Sequence, residues 1–312
     1  MSVFVQQQGV EYGFSSSESW VILSPIEQSI KRKIEVVGTP LKDWDIQINY
    51  GIKTGFNDAF IISTEKRDEI LANCLTEDER IRTAELIRPI LRGRDIKRYG
   101  YDWANLFLIA TFPSCHYDIE KYPAVKAHLL SYGKERLEQT GKKYMVNGEV
   151  VKARKKTNNK WFETQDSIGY WEDFSKPKVI YMEIQTDNPN EGYPFPCYSF
   201  DKNNSIVLNT AYILSSKCID ARYILGILNS KLGKFLVKLY VTQLQERQFR
   251  MLAQYVVKFP IVKPDNIVKT KMIELVNIIL EKPCAEIEAQ IDLLAYSIYG
   301  LTESEIGYLQ NK

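Results

Sequence analysis

Ile48-Asn49-Tyr50-Gly51-Ile52-Lys53-Thr54-Gly55-Phe56-Asn57-Asp58-Ala59-Phe60-Ile61-Ile62 is the stretch around which the chain is organised. Gly51 and Gly55 bracket three residues, with strand-like apolar runs on either side. The spacing predicts a strand, a tight glycine-dependent loop and a returning strand. Such a loop sets a cation, a hydroxyl and an amide (Lys53, Thr54 and Asn57) on an exposed rim, and these groups suit phosphate oxygens and base edges. The plain alternative is an ordinary hairpin turn.

Working outward, Ile26, Ile30, Ile34 and Val37 recur at helical spacing behind Pro25, and Gly38 stops that helix. Residues 1–24, with Gln6-Gln7-Gln8 and Ser15-Ser16-Ser17, read as a polar linker or entry segment. After Ile62, Ser63-Thr64 and Thr76-Glu77-Asp78-Glu79 open two scaffold helices. Between Arg88 and Arg98, five cations (Arg88, Arg92, Arg94, Lys97 and Arg98) face one Asp95, with Gly93 permitting a turn among them. That cluster reads as a solvated surface or as a phosphate clamp.

Asn105 to Phe112 reads as a strand and Tyr122 to Leu137 as an amphipathic helix. Thr140 to Gly169 has the least regular pattern. It interleaves Lys142, Lys143, Lys152, Arg154, Lys155, Lys156 and Lys160 with Tyr144, Trp161 and Phe162, and includes a hairpin-like piece from Gly141 to Val151. Basic residues beside aromatics fit a surface that follows a nucleic-acid backbone and stacks on bases, or a charged excursion without structure. Strand-like runs follow at Lys178–Met182, Cys197–Phe200, Ser205–Leu208 and Ala211–Leu214, with turns at residues 187–190 and 202–204. A long helix is expected from Asp220 through Leu239. The polar run after it (Gln243, Gln245, Arg247, Gln248 and Arg250) offers side chains that read adenine and guanine edges bidentately, or else a solvated helix end. Two helices split by Pro283 close the chain. The fold class expected is α+β, with a mixed or antiparallel sheet and a C-terminal helical hairpin, divided into residues 1–24, 25–264 and 265–312.

Composition excludes little. The 312 residues carry 41 basic and 39 acidic side chains, so nucleic-acid contact has to come from local clustering. Five scattered cysteines without a Cys-x-x-Cys pair fit reduced thiols in the cytoplasm. Neither an apolar run long enough to span a membrane nor an export signal stands out. Gly-x-Gly, Gly-Lys-Ser/Thr and Pro-Pro are all absent, so neither a methyl donor nor a nucleoside triphosphate has an obvious seat. Adjacent Cys115 and His116 point apart in extended chain, and Asp95-Ile96-Lys97 lacks an upstream acidic partner.

Gly-Ile-Lys-Thr-Gly-Phe-Asn-Asp-Ala-Phe-Ile-Ile at residues 51–62 resembles the opening signature of the TaqI-like C-terminal specificity domain. That domain is the target-recognition part of type IIG restriction-modification enzymes and related adenine methyltransferases. Three further stretches fit in the same order: residues 87–99, 225–232 and 291–302. The resemblance implies sequence-specific recognition of duplex DNA on behalf of a methyltransferase/endonuclease module in the same or a partner polypeptide, with S-adenosylmethionine bound by the methyltransferase; no cofactor and no catalytic residue are expected in this chain. Lys53, Thr54, Asn57, Gln243, Gln245 and Arg247 are then expected near bases. Arg92, Arg94, Lys97, Arg154, Lys155, Lys156 and Trp161 are expected along the backbone. Arg154 and Trp161 are the nearest matches to an Arg and a Trp that the family pattern brings sooner after the helix, the Gly141–Val151 piece being inserted before them. The alternatives are a stand-alone metal-dependent nuclease or RNA-processing protein, and a protein-interaction module acting through the terminal helices.

Overall fold

A computed structural model of the protein describes residues 23–188, 194–245 and 247–311. The expected entry segment up to residue 22, and Pro189 and Asn190 of the expected turn, lie outside them.

Ser24 caps the first helix, Pro25–Val37, through a reciprocal box with Glu27, and Ile30 and Ile34 are buried one turn apart on its inner face. The chain then enters a four-stranded antiparallel sheet ordered Tyr198–Asp201, Lys178–Met182, Ala211–Ser216, Ile46–Tyr50. A second sheet is mixed: Ile206–Val207 runs parallel to Ile87–Leu91, which pairs antiparallel with Leu106–Ile109, and that strand with Ile61–Ser63.

The first sheet is a partition between two apolar cores. On one face Val179, Tyr181, Tyr198 and Leu214 pack with the helices Ala221–Asn229, Asn266–Glu281 and Ala285–Ile298. On the other, Ile180, Ile213 and Cys197 pack with the second sheet and the helix Pro123–Leu130. Burial on both faces explains why Val179-Ile180-Tyr181 reads as an unbroken apolar run. At the end of that run Lys178 is fully buried opposite Asp201, its ammonium paired with the carboxylate and with the Phe174 carbonyl at 2.7 Å.

The α+β class with antiparallel and mixed sheets is as expected, but several connections differ. The strand after the glycine loop does not return beside the one before it, because Ile46–Tyr50 and Ile61–Ser63 belong to different sheets. Instead of reversing, the backbone docks on the Val207–Asn209 segment: Ile52 N donates to Val207 O (2.8 Å) and Asn209 N to Ile52 O (3.1 Å). A Cβ on Gly51 would meet the Leu208 carbonyl oxygen at 2.1 Å, so only glycine permits that approach. A single helical turn, Asn57–Phe60, then hands the chain to the second sheet.

The expected helix from Tyr122 to Leu137 is broken at Gly133 (φ 85) into Pro123–Leu130 and Lys134–Leu137. The one expected from Asp220 is broken at Ser230, whose hydroxyl donates to Ile227 O (2.6 Å) and accepts from Gly233 N (3.1 Å), ending one helix and starting Lys231–Tyr240. Gln243 to Arg250 is not a helix end. Gln243–Gln245 and Gln248–Arg250 form a hairpin that pairs with Ile184–Thr186. The two expected terminal helices are followed by a third, Glu303–Gln310, capped by Thr302 and Glu305.

Candidate nucleic-acid interface

Two open cavities, each of about 540 Å3, share Gly93, Arg94 and Thr210 as wall and so form one groove. One lobe is bordered by Asn57, Asp58 and Arg92, the other by Ile184, Leu244 and Arg250. Central loop, basic turn and hairpin are far apart in sequence, yet the fold gathers them along one concavity. The shared wall is closely packed: Gly93 N donates to the Thr210 side-chain Oγ1 at 2.9 Å, and a Cβ on Gly93 would come 3.0 Å from the Thr210 carbonyl oxygen.

The cations of the basic turn divide by what they already hold. Arg92 is committed to Asp95, with Nε at 3.0 Å from Oδ2 and Nη2 at 2.6 Å from Oδ1, while Arg92 N also donates to Oδ2 at 2.8 Å. This capping box fixes the turn and consumes the acidic group of Asp95-Ile96-Lys97. Arg98 is likewise held, by Glu288 at 3.0 Å and the Pro196 carbonyl at 2.9 Å. Lys97 Nζ lies 3.4 Å from the Arg94 carbonyl oxygen and 3.9 Å from Asp102. Arg94 is exposed, and no partner for its guanidinium is present among the described residues.

In the central loop the three candidates separate. Lys53 is exposed, its Nζ 5.7 Å from the centroid of the Tyr50 ring. Thr54 is only 1% exposed: its hydroxyl donates to Asn57 Oδ1 (2.6 Å) and accepts from Phe56 N (3.1 Å), so it shapes the loop from inside instead of standing on the rim. Asn57 is exposed in the groove wall, its Oδ1 accepting that bond.

Arg154 is the largest departure from expectation. It is 4% exposed, and its guanidinium donates to four backbone carbonyls: Leu137 (2.8 Å), Thr54 (2.7 Å), Glu163 (2.8 Å) and Trp161 (2.7 Å). It also lies 5.0 Å over the Phe60 ring. Burial pulls its pKa down to about 10 against the opposing fields of Glu138 and Glu163. Four of its five N–H donors are spent on the fold, and its burial keeps it off the exposed surface where a phosphate would lie. Trp161 is half-buried, edge-to-face with Phe162 at 5.6 Å. Lys155 and Lys156, next in the chain, are exposed.

On the hairpin Gln243, Gln245 and Arg247 are exposed, Arg247 in the left-handed region at φ 63. Its carbonyl accepts from Asp187 N (2.8 Å), and Asp187 binds Lys234 (3.1 Å) and Lys238 (2.7 Å), which ties the hairpin to the helix Lys231–Tyr240. Arg250, named with the polar run, borders the groove but is paired with Glu183 (Nε to Oε1, 2.8 Å); reading by residue type missed Leu244 and Glu183, which border the groove as well. Leu244, lone among polar residues in Thr242-Gln243-Leu244-Gln245, was the available signal. Nothing in the sequence marked Glu183.

Among the described residues no group of three His, Cys, Asp or Glu side chains is placed to hold a metal ion. No helix among them is long and apolar enough to cross a membrane.

A family model of the TaqI-like C-terminal specificity domain matches residues 88–261, more than half of the chain. The chain belongs to that family. It is similar to the Type II methyltransferase M.BstVI of Geobacillus stearothermophilus, with 22% identity over 309 residues that cover 96% of this chain and 47% of the relative, so it spans about half the relative's length. Among solved structures it shares a fold with the Type IIL restriction-modification enzyme MmeI, determined in complex with DNA, at a TM-score of 0.55 and 15% identity over 88% of this chain and 36% of that one. The type IIG restriction endonuclease BpuSI aligns with a TM-score of 0.49 and 12% identity over 90% of this chain and 34% of that one.

Proposed function

We propose that this chain binds duplex DNA sequence-specifically and presents it to a separate methyltransferase module, where S-adenosylmethionine is bound. The observation that carries the reading is the groove: Arg94, without a protein partner among the described residues, stands where the Asn57 lobe and the hairpin lobe meet. Arg94, Lys97 and the exposed Lys155 and Lys156 hold phosphates and set register. Lys53, Asn57, Gln243, Gln245 and Arg247 reach base edges, while Thr54 and Arg154 hold the loop that presents them. Family membership supports the reading, as do the names of the relatives, a methyltransferase and a DNA-bound restriction-modification enzyme. Nuclease protection of a long duplex tests it. A discrete protected window supports sequence-specific binding, and uniform or absent protection contradicts it.

A further inference from the structure

Between Gly141 and Ala153 the chain forms a two-stranded ribbon, Lys143–Val146 against Glu149–Lys152, closed by Asn147 and Gly148 at φ 50 and 85. Asn-Gly with both residues left-handed is the turn that matches the twist of a hairpin. Neither strand pairs with any third strand among the described residues. The register sets Lys143 opposite Lys152 and Met145 opposite Val150, and strand alternation puts all four on one face. The other face carries Tyr144, Val146 and Val151, half-buried, with the Tyr144 hydroxyl 3.0 Å from Thr140 Oγ1. The first face is open: Met145 is 69% and Val150 62% exposed.

That arrangement is costly for a ribbon that meets only water. Like charges directly opposite destabilise a strand pair, and two large apolar side chains stand exposed beside them. Lys142, Lys155 and Lys156 extend the cationic surface at the ribbon's root, and none of these five lysines meets a carboxylate within 4 Å among the described residues. The root is fastened to the loop that borders the groove. Arg154 Nη1 donates to Thr54 O, and Gln165 N donates to Lys53 O at 3.0 Å.

Resting on the DNA-recognition reading, we infer that this inserted ribbon is a second duplex contact, lying in a DNA groove with its open face inward. The major groove, about 12 Å wide, admits a two-stranded ribbon. Phosphate oxygens on either side neutralise Lys143 and Lys152 and remove their repulsion. Met145 and Val150 meet the apolar edges of bases, thymine methyl groups above all.

The test uses the full chain with Lys143→Gln and Lys152→Gln together, a change that removes both charges, keeps a polar side chain only one atom shorter and relieves repulsion, so the fold is retained; a thermal melt verifies this. Titration of one duplex across a salt series should show the slope of log affinity against log salt reduced by about two, with base preference unchanged. Met145→Ser with Val150→Ser should weaken binding several-fold at an unchanged slope, and more for thymine-containing DNA than for the same duplex with uracil. Binding and slope equal to those of the unaltered chain in both variants would overturn the ribbon contact while leaving the DNA reading intact. Absence of any duplex binding by the unaltered chain defeats the underlying reading and the ribbon with it.

Discussion

Arg154 Nη1 donates to the main-chain carbonyl of Thr54 at 2.7 Å, joining two residues one hundred positions apart. Through that bond, and through Thr54 Oγ1 on Asn57, the irregular 140–169 segment sets the shape of the loop that borders the groove. An arginine expected on a phosphate is a buried peg that holds the recognition loop in place.

Arg154→Ala therefore acts on folding before it acts on binding. It strands four carbonyls, three of them in buried bonds, that lose a charged donor, and about 3–5 kcal/mol of stability should go with them. Urea unfolding monitored by tryptophan fluorescence measures this. A loss under about 1 kcal/mol would mean that water replaces the guanidinium without penalty.

Lys178 and Asp201 make the second test of stability. Lys178→Met leaves the buried Asp201 carboxylate without its cation, although Tyr101 OH still donates to it at 2.9 Å and Ser205 N at 3.1 Å. Destabilisation by about 3–5 kcal/mol is expected, and adding Asp201→Leu should restore part of it. Equal melting temperatures for the single variant and the parent would contradict the assignment of a buried ion pair.

Glu305 ties the last helix to the first. It accepts from Ser29 Oγ (2.7 Å), Lys33 Nζ (2.7 Å) and Thr302 N (2.7 Å). Burial raises its pKa, but the bonds from Lys33, the Thr302 backbone, Ser29 and the Thr302 hydroxyl prevail and hold it down at about 2. Because the folded value lies below the unfolded one, near 4.5, the contribution is full above about pH 5 and is lost as pH falls through about 2. The stability gap between the parent and Glu305→Gln should thus be about 2 kcal/mol at neutral pH, allowing for partial solvation of Lys33, and should close on acidification. A gap independent of pH from 6 to 2 would show that the carboxylate's charge plays no part.

Arg94 and Gln245 should differ in kind. Arg94→Ala should weaken binding to all duplexes alike and flatten the salt dependence by about one unit, as for a single lost phosphate contact. Gln245→Ala should relax preference at one base pair at a cost of ~1–3 kcal/mol and leave the salt slope alone. Binding curves over a salt series, on a preferred site and on single-base variants of it, separate the two.

Legibility from sequence followed the range of the forces involved. The helix Pro25–Val37 and the caps at Ser63 and Thr76 depend on neighbours a few residues away, and the pattern of residues announced them. The hairpin-like piece expected from Gly141 to Val151 forms as Lys143–Lys152, again a local matter, since the Asn147-Gly148 turn closes it. What escaped was decided at long range. The strand after Asn57 leaves for another sheet because Ile52 finds Val207 and Asn209, more than 150 residues on, and the burial of Arg154 needs carbonyls from three separate places: Thr54, Leu137 and the Trp161–Glu163 segment. Residue type likewise placed Arg92 and Arg94 together, whereas Asp95 separates a structural arginine from an available one.

Selection of randomised duplex DNA on the purified chain at moderate salt, with sequencing of what is retained, tests the central claim most directly. Enrichment of one short motif, diminished in the Gln245→Ala variant at a single position, is the predicted result. Retention without sequence preference, or no retention at all, would contradict the claim that this chain by itself reads DNA sequence.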